Sequence, residues 1–550
     1  MVKSFSRASI LGLALTLALP TLGNAQDIFL ASGGADLTWK GTATGASAGV
    51  WMDIGSLSVD TRRDLIIGAP GTSGTSGTVY VIIGGPSRTG DLSLASADVV
   101  ITSSAAGNRF GAATAVGNIR NAEDAPVKNL VVGAPGALAN RGEVYVFTGG
   151  FGSGASLSTS NAVFKIQGAP GDQLGTALAT GDLDHDTFRE IIIGAPGNGR
   201  VYVIKGGPSL TGTLDLSGGL PLCAAGADVN CVIPAPGIGR NLIAGDVTGD
   251  SIYDLLIGAP SSNVVYLFPG VSGIMPPAAT TSFSGVDAGD EAGTSIRILD
   301  IDADGKNDLA IGSPGGDGPS NGRLNAGEVS VFLGPVTTPG ALSLASAGIV
   351  FYGAAPGNRA GDIVATGDIN RDTPNDFAIN ESGGSGGAGV LNIYYGRSRS
   401  TIGTVQGTRR VVDFSIAGQA NRRIFGDAAT GPIRAVQVFE VTGEGARDII
   451  VGVPAFDSNT GKLYFTISPK LRISRTTMAL TVNQGGTVIS STAINVTNPS
   501  IVTTGWTATF PSDAPVDKRW VAATPAAGTV DATHTNSFNV VASGAGLTPG

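Results

Sequence analysis

The sequence predicts an all-β protein, a seven-bladed β-propeller over residues 27–468 followed by a small β-sandwich over residues 470–550. Three observations carry that expectation. Glycine supplies 84 of 550 residues while aromatic side chains make up 6% and charged ones 14%, the composition of many short strands joined by tight turns. One pattern recurs seven times between residues 27 and 468, and a fixed period marks a repeat architecture. The apolar runs inside each copy, such as Leu65 to Ile67 and Ile449 to Val451, do not alternate with polar residues, which suits strands buried on both faces.

Ahead of the repeats, Lys3 and Arg7 precede a short apolar run, Ile10 to Leu19, and Gly23-Asn24-Ala25 ends in small residues. This order reads as an export signal over residues 1–25, cleaved after Ala25. The run is too short to cross a bilayer as a helix, which takes about 20 apolar residues. No later stretch is long enough either, so no transmembrane anchor is expected and the chain is predicted to be secreted, periplasmic or held at a cell surface.

The clearest copy runs from Leu174-Gly175 through Gly181 and an acidic stretch, Asp182 to Glu190, to Ile191-Ile192-Ile193-Gly194-Ala195-Pro196, with a further strand at Val201 to Ile204. The same spacing fits Ile238-Gly239 to Gly258-Ala259-Pro260, Ala292-Gly293 to Gly312-Ser313-Pro314, and Ala48-Gly49 to Gly68-Ala69-Pro70. Phe110-Gly111 to Pro135 carries an insertion in its loop, Ala360-Gly361 to Asn380 loses Gly-Ala-Pro, and Phe425-Gly426 to Pro454 has a longer first segment. A propeller buries such runs because each four-stranded blade packs both faces against its neighbours. Proline lacks the amide hydrogen a ladder needs, so Gly-Ala-Pro ends a strand at the blade margin. A linear β-solenoid is disfavoured because its repeats are well below the period of about 60 residues seen here.

Phe-Gly followed by Gly-Ala-Pro, with an Asp-rich loop between, resembles the FG-GAP repeat of integrin α chains and related bacterial proteins, over roughly four fifths of the chain. Phe-Gly is literal only at Phe110-Gly111 and Phe425-Gly426. The resemblance implies a seven-bladed propeller with its cation loops in hairpins between two strands of a blade.

Asp300, Asp302, Asp304, Gly305 and Asp308 form D-x-D-x-D-G-x-x-D, and hard oxygen ligands at that density select calcium. Gly305 permits the sharp turn, the Lys306 carbonyl can add a ligand, and Asp308 closes the shell. Asp182, Asp184, Asp186 and Glu190 make a second candidate; Asp246, Thr248, Asp250 and Asp254 a third; Asp368, Asn370, Asp372 and Asp376 a fourth, with Thr373 where glycine is preferred. Glu440, Thr442, Glu444 and Asp448 hold the register with longer acids, and their occupancy stays open. The first copy, with Ser56, Ser58, Asp60 and Asp64, and the second, with Asn118 and Asn129, are expected to be empty. Aspartate and glycine also favour turns on their own, but four loops in register exceed that bias. Four calcium ions would cancel most of the formal net charge of −9.

Catalytic signals are thin. His185 and His534 are the only histidines, too few for triads or zinc motifs. Gly318 to Gly322 and Gly383 to Gly387 spell G-x-S-x-G without the strand–turn–helix context that motif requires. An acidic balance argues against nucleic acid. Trp39 and Trp51, the only Trp of the repeats, read as core as readily as a sugar platform. The expected role is an extracellular binding or adhesion module for a protein or glycan; a secreted carbohydrate-active enzyme, such as a polysaccharide lyase, is the alternative.

Cys223 and Cys231 are the only cysteines and are expected to pair in an oxidising compartment. After about Leu471 the repeat stops. Candidate strands at Met478 to Val482, Thr492 to Val496 and Trp506 to Phe510 suggest the sandwich, and Trp506-Thr507-Ala508 with Trp520-Val521 and Pro525 to Thr529 resembles bacterial Ig-like domains of the BACON type.

Overall fold

Each repeat folds into one sheet around four antiparallel strands, which run from the axis outward in chain order in all blades but the seventh. The computed structural model describes residues 28–30, 35 and 37–466, apart from 61, 72–74, 86–87, 89, 122–124, 224–229, 274–278, 371, 428–430 and 441–446; elsewhere it describes only backbone strand segments. Two compact units emerge, Asp27–Thr466 and a second made of Met1–Gln26 with Ile467–Gly550.

The first unit holds seven sheets. Their first strands are Trp51–Gly55, Thr114–Gly117, Ala177–Gly181, Asn241–Gly245, Ser295–Leu299, Ala360–Gly367 and Ala435–Phe439. Each touches the first strand of the next blade, and the last touches the first, so the seven close a ring around the axis. The second strands, such as Asp64–Ala69 and Glu190–Ala195, are buried along their whole length, as the unalternating apolar runs predict. The ring is closed by chain ends: Leu37–Lys40 supplies the fourth strand of blade 7, antiparallel to Lys462–Thr466 with Leu37 opposite Phe465 and Trp39 opposite Leu463. Trp39 is a core residue, 1% exposed.

The glycine of Gly-Ala-Pro has a steric reason. A Cβ at Gly68 would lie 2.2 Å from the carbonyl oxygen of Gly111 in the next blade, and one at Gly194 would lie 2.1 Å from that of Gly239. The two glycines of the repeat therefore face each other across every such blade boundary. Blade 6 breaks this pattern. Asn380 stands in the Gly-Ala-Pro register, and Gly389 packs against both it and Ile433, which precedes the first strand of blade 7. Phe425-Gly426, expected to open the seventh copy, instead lies at the end of Arg422–Phe425, the fourth strand of blade 6. The longer first segment arises because the seventh blade starts only at Ala435.

In six blades a parallel strand covers the outer edge, donated by the segment that precedes the fourth strand of the next blade. These are Gly90–Ser93 on blade 7, Ala155–Ser158 on blade 1, Gly212–Asp215 on blade 2, Gly340–Ser343 on blade 4, Arg409–Asp413 on blade 5 and Ile28–Phe29 on blade 6. Blade 3 has none among the described residues. Its fourth strand, Cys231–Pro234, is flanked by its own preceding loop: Leu222 bridges Val232, the Cys223 N–H donates to the Val232 carbonyl at 3.1 Å, and Val232 N–H donates to the Pro221 carbonyl at 2.9 Å. The Cys223–Cys231 disulfide, with Cα atoms 4.9 Å apart, holds that loop on an edge other blades cover with a strand.

In the second unit Arg472–Ile473, Thr487–Ile489, Ile494–Thr497, Val521–Thr524 and Asn536–Ser543 form one sheet, and Thr504–Thr507 pairs with Ala527–Val530. Cleavage after Ala25 and the Trp520 contribution to a sandwich fall outside the described residues.

Candidate metal centre

The acidic stretches lie in the hairpins between the first and second strands of their blades. In blade 5 the loop leaves Ser295–Leu299 at Asp300 and re-enters at Asp308–Ser313. Four loops share one backbone conformation. Their sixth residues, Thr187, Ser251, Gly305 and Thr373, all have positive φ, at 80°, 71°, 80° and 98°. Their fourth residues do the same where described, at His185, Gly249 and Ala303. Only glycine adopts this region without steric penalty, so the loop geometry overrides residue preference in blades 3, 4 and 6.

The first acid of each loop organises the turn. Asp182 accepts N–H donors from Asp186 at 3.0 Å and Thr187 at 3.1 Å; Asp246 from Gly249 at 2.6 Å and Ser251 at 2.9 Å; Asp300 from Asp304 at 3.2 Å and Gly305 at 3.0 Å. In blade 6, Asp368 and Asn370 both accept from the Asp372 N–H at 3.1 Å, and the Asn370 amide donates to Asp372 at 2.9 Å. Side-chain oxygens are thereby turned toward the inside of the loop.

The ninth residue has a second task. Asp64, Glu190, Asp254, Asp308 and Asp376 are at most 1% exposed. Each accepts the N–H of the loop's second residue, at 2.7 Å from Leu57, Leu183 and Val247, 2.9 Å from Ile301 and 2.6 Å from Ile369. Each also accepts from a glycine just beyond the third strand: Gly84 at 3.1 Å, Gly206 at 3.4 Å, Gly270 at 3.1 Å, Gly334 at 2.8 Å and Gly396 at 2.9 Å. The closing carboxylate thus ties two loops at one end of the blade. Blade 1 keeps it although its front positions are Ser56 and Ser58, with the Ser58 hydroxyl 2.8 Å from Asp60. In blade 2 Asn129 replaces the acid and accepts from Arg120 N–H at 2.9 Å.

Burial raises these acids. Glu190 is pushed up to about 9 by burial, with the charges of Asp184 and Asp186 adding to it. Asp308 and Asp376 rise to about 7, again through burial first, with Asp302 and Asp300 adding at Asp308 and Asp372 at Asp376. Asp254 and Asp64 shift up for the same reason.

Two clusters bring three carboxylate oxygens within 4.8 Å of one another: Asp182, Asp184 and Glu190 in blade 3, and Asp300, Asp302 and Asp304 in blade 5. Such a donor set fits a hard divalent cation. Among the described residues, Asp246, Thr248, Asp250 and Asp254 of blade 4 and Asp368, Asn370, Asp372 and Asp376 of blade 6 share the loop backbone without forming such a triplet. Lys306 contributes its N–H to Asp304 at 2.9 Å. In blade 7 Asp448 is buried, while Thr442 and Glu444 lie outside the described residues.

Lys205 is the member the sequence pattern does not reveal. Its ammonium lies 2.9 Å from Asp184 and 3.2 Å from Asp186. The register positions matching it are Ile83, Pro269, Leu333 and Tyr395, so a cation there is peculiar to blade 3.

The FG-GAP repeat family model matches residues 174–204 and 292–332, which contain the two clusters. Phosphatidylinositol-glycan-specific phospholipase D of Mus musculus is 29% identical over 193 residues, covering 32% of this chain and 22% of that protein. Integrin alpha-5 of Xenopus laevis is 27% identical over 230 residues, covering 41% and 20%. The chain thus spans about a fifth of the length of these relatives. Among solved structures, BBS1N in complex with ARL6DN superposes with a TM-score of 0.40 at 10% identity, over 79% of this chain and 97% of that one. With the matched segments folding as blades 3 and 5 of a ring of seven, the chain is a seven-bladed β-propeller that carries FG-GAP repeats in those two blades.

Proposed function

We propose that this chain is an exported FG-GAP propeller that binds calcium in its blade hairpins and serves as an extracellular binding or adhesion module for a protein or glycan. The observation that carries the calcium reading is the convergence of Asp300, Asp302 and Asp304, and of Asp182, Asp184 and Glu190, on volumes a cation fits. Calcium would supply the positive charge that lets these carboxylates share one turn, with Asp308 and the Lys306 carbonyl completing the blade 5 set. Blades 4 and 6 are proposed as further sites through Asp246, Thr248, Asp250 and Asp254 and through Asp368, Asn370, Asp372 and Asp376.

Export accords with the leader and with the Cys223–Cys231 disulfide, since such bonds persist in oxidising compartments. Among the described residues no helix is long and apolar enough to cross a membrane. Within the propeller the chain's own residues stiffen the hairpins: the buried ninth acid clamps the turn to the strand 3–4 connection, leaving loops on that face able to present a surface.

Elemental analysis of purified secreted protein, with extracellular-matrix and glycan arrays and polysaccharide turnover assays, tests the proposal. Bound calcium with selective capture on an array supports it. Absence of calcium, or polysaccharide turnover abolished by loop substitutions away from the acidic hairpins, overturns it.

A further inference from the structure

At the opposite end of the blades from the acidic hairpins, the axial channel opens into a cavity of about 220 Å³ lined by first-strand residues of blades 1 and 3 to 7. Its charge is opposite to that of the chain. Arg240, Arg297 and Arg434 line it against a single carboxylate, Asp362, while the whole protein carries −9.

The register explains the arrangement. Arg240, Asp362 and Arg434 each stand one residue ahead of the position paired with the Gly-Ala-Pro register, in blades 4, 6 and 7. They therefore form one layer at the mouth, where Arg240 and Arg434 are exposed. Arg297 lies deeper, paired by register with Ala310 in blade 5. Asp53 and Gln437 occupy the same depth in blades 1 and 7.

Arg297 makes no ion pair among the described residues. Its guanidinium donates to its neighbour's carbonyl, Ile296, at 2.7 Å. Five donors on that group outnumber this one acceptor, and the residue lines the cavity. Burial pulls Arg297 down to about 10, as removal from water does to any cation. Asp53, the acid at its depth, does not supply a counter-charge: blades 1 and 5 are not neighbours in the ring, and burial raises Asp53 to about 7. Gln437, whose amide donates to the Met52 carbonyl at 2.8 Å, ties blade 7 to blade 1 instead.

We infer that this cavity is a binding site for a small oxyanion, held by Arg297 at its floor and by Arg240 and Arg434 at its mouth. Planar guanidinium groups match carboxylate, phosphate and sulfate oxygens in bidentate pairs. On the wall the Thr294 and Ser295 hydroxyls already donate to the Glu291 and Gly361 carbonyls, at 2.8 and 2.7 Å, while the Asn241 amide, which gives one N–H to the Gly293 carbonyl at 2.9 Å, keeps its second for an anion oxygen. The volume admits on the order of seven waters at about 30 Å³ each, which suits a free anion of that size. The site is independent of the calcium hairpins.

The test is isothermal titration of the full, calcium-loaded chain with inorganic phosphate, sulfate and acetate, alongside Arg297→Met and Arg434→Gln. At least one anion is expected to bind wild type at one equivalent, and the preference among the three identifies the chemistry. Arg297→Met should weaken that binding about tenfold or more, as loss of a charge-assisted contact does, and Arg434→Gln should weaken it a few-fold. If Arg297→Met fails to fold, the Arg240→Gln/Arg434→Gln pair at the exposed mouth carries the same comparison. Equal affinity in wild type and variants, or no binding of any of the three anions by wild type, overturns the inference.

Discussion

Lys205 reaches into the blade 3 hairpin and sets its ammonium 2.9 Å from Asp184, a carboxylate with no exposed surface. A protein cation thus occupies ground that a calcium ion would share with the same oxygens. Replacing Lys205 by Met is expected to act with opposite signs in two buffers. In chelator it lowers stability by about 1 to 3 kcal/mol, the usual loss of a charged hydrogen bond. In calcium it tightens the blade 3 site on the order of tenfold, because charge count governs affinity. Thermal melts and calcium titration read the two effects, and a shift of the same sign in both buffers contradicts the competition.

Removing calcium should lower the melting temperature. A ligand held at about 100 times its dissociation constant contributes about 2.7 kcal/mol per site, so losing several sites is a large fraction of a domain's stability. The hairpins of blades 3 and 5 should become the first protease cuts. A melt unchanged in excess chelator would remove the structural role of the metal.

The metal-free chain should also lose stability as pH rises. Asp308 and Asp376 titrate near 7 in the fold against 3.8 in the open chain, and Glu190 near 9 against 4.5. Acids raised in this way hold more protons folded than unfolded. Their contribution is complete below about pH 4 and is lost as pH climbs through 7 and then 9. Chelated protein melted across this range should show a falling trend that calcium flattens, since the ion stabilises the ionised forms.

Thr373 sits at φ 98° where blade 5 has Gly305 at 80°. Thr373→Gly should therefore stabilise the blade 6 hairpin by about 1 kcal/mol, the relief of a left-handed β-branched residue. Thr187→Gly is expected to do the same in blade 3. Denaturant melts with an unchanged slope are the check, and destabilisation at both positions would contradict the shared backbone.

Cys223→Ser with Cys231→Ser should cost about 2 kcal/mol, near the low end for disulfides because the loop is short. Hydrogen exchange should rise first at Cys231–Pro234, the one fourth strand that lacks a covering parallel strand among the described residues. Loss spread evenly over all blades would contradict that local role.

The repeat was legible because its signals are local. Gly258-Ala259-Pro260 and Asp254 lie within one hairpin, and the spacing from Asp246 to Asp254 alone sets the turn that both serve. Phe425-Gly426 shows the limit. The letters match the motif, but Gly426 follows the fourth strand of blade 6, where its backbone packs on the Ala388 carbonyl and not on the second strand of a neighbouring blade.

By itself the sequence determined the all-β class, the seven copies, the pairing of its two cysteines and the acidic hairpins, because hydrophobic pattern and turn chemistry act over a few residues. Tertiary structure alone decided what depends on contacts between distant segments. Leu37–Lys40 closes the seventh blade from more than 400 residues away, Lys205 enters the Asp184 cluster from a neighbouring loop, and Arg297 meets Arg240 and Arg434 only because seven first strands ring one axis. No local preference encodes these; they follow from ring closure, which brings blades together whatever their order along the chain.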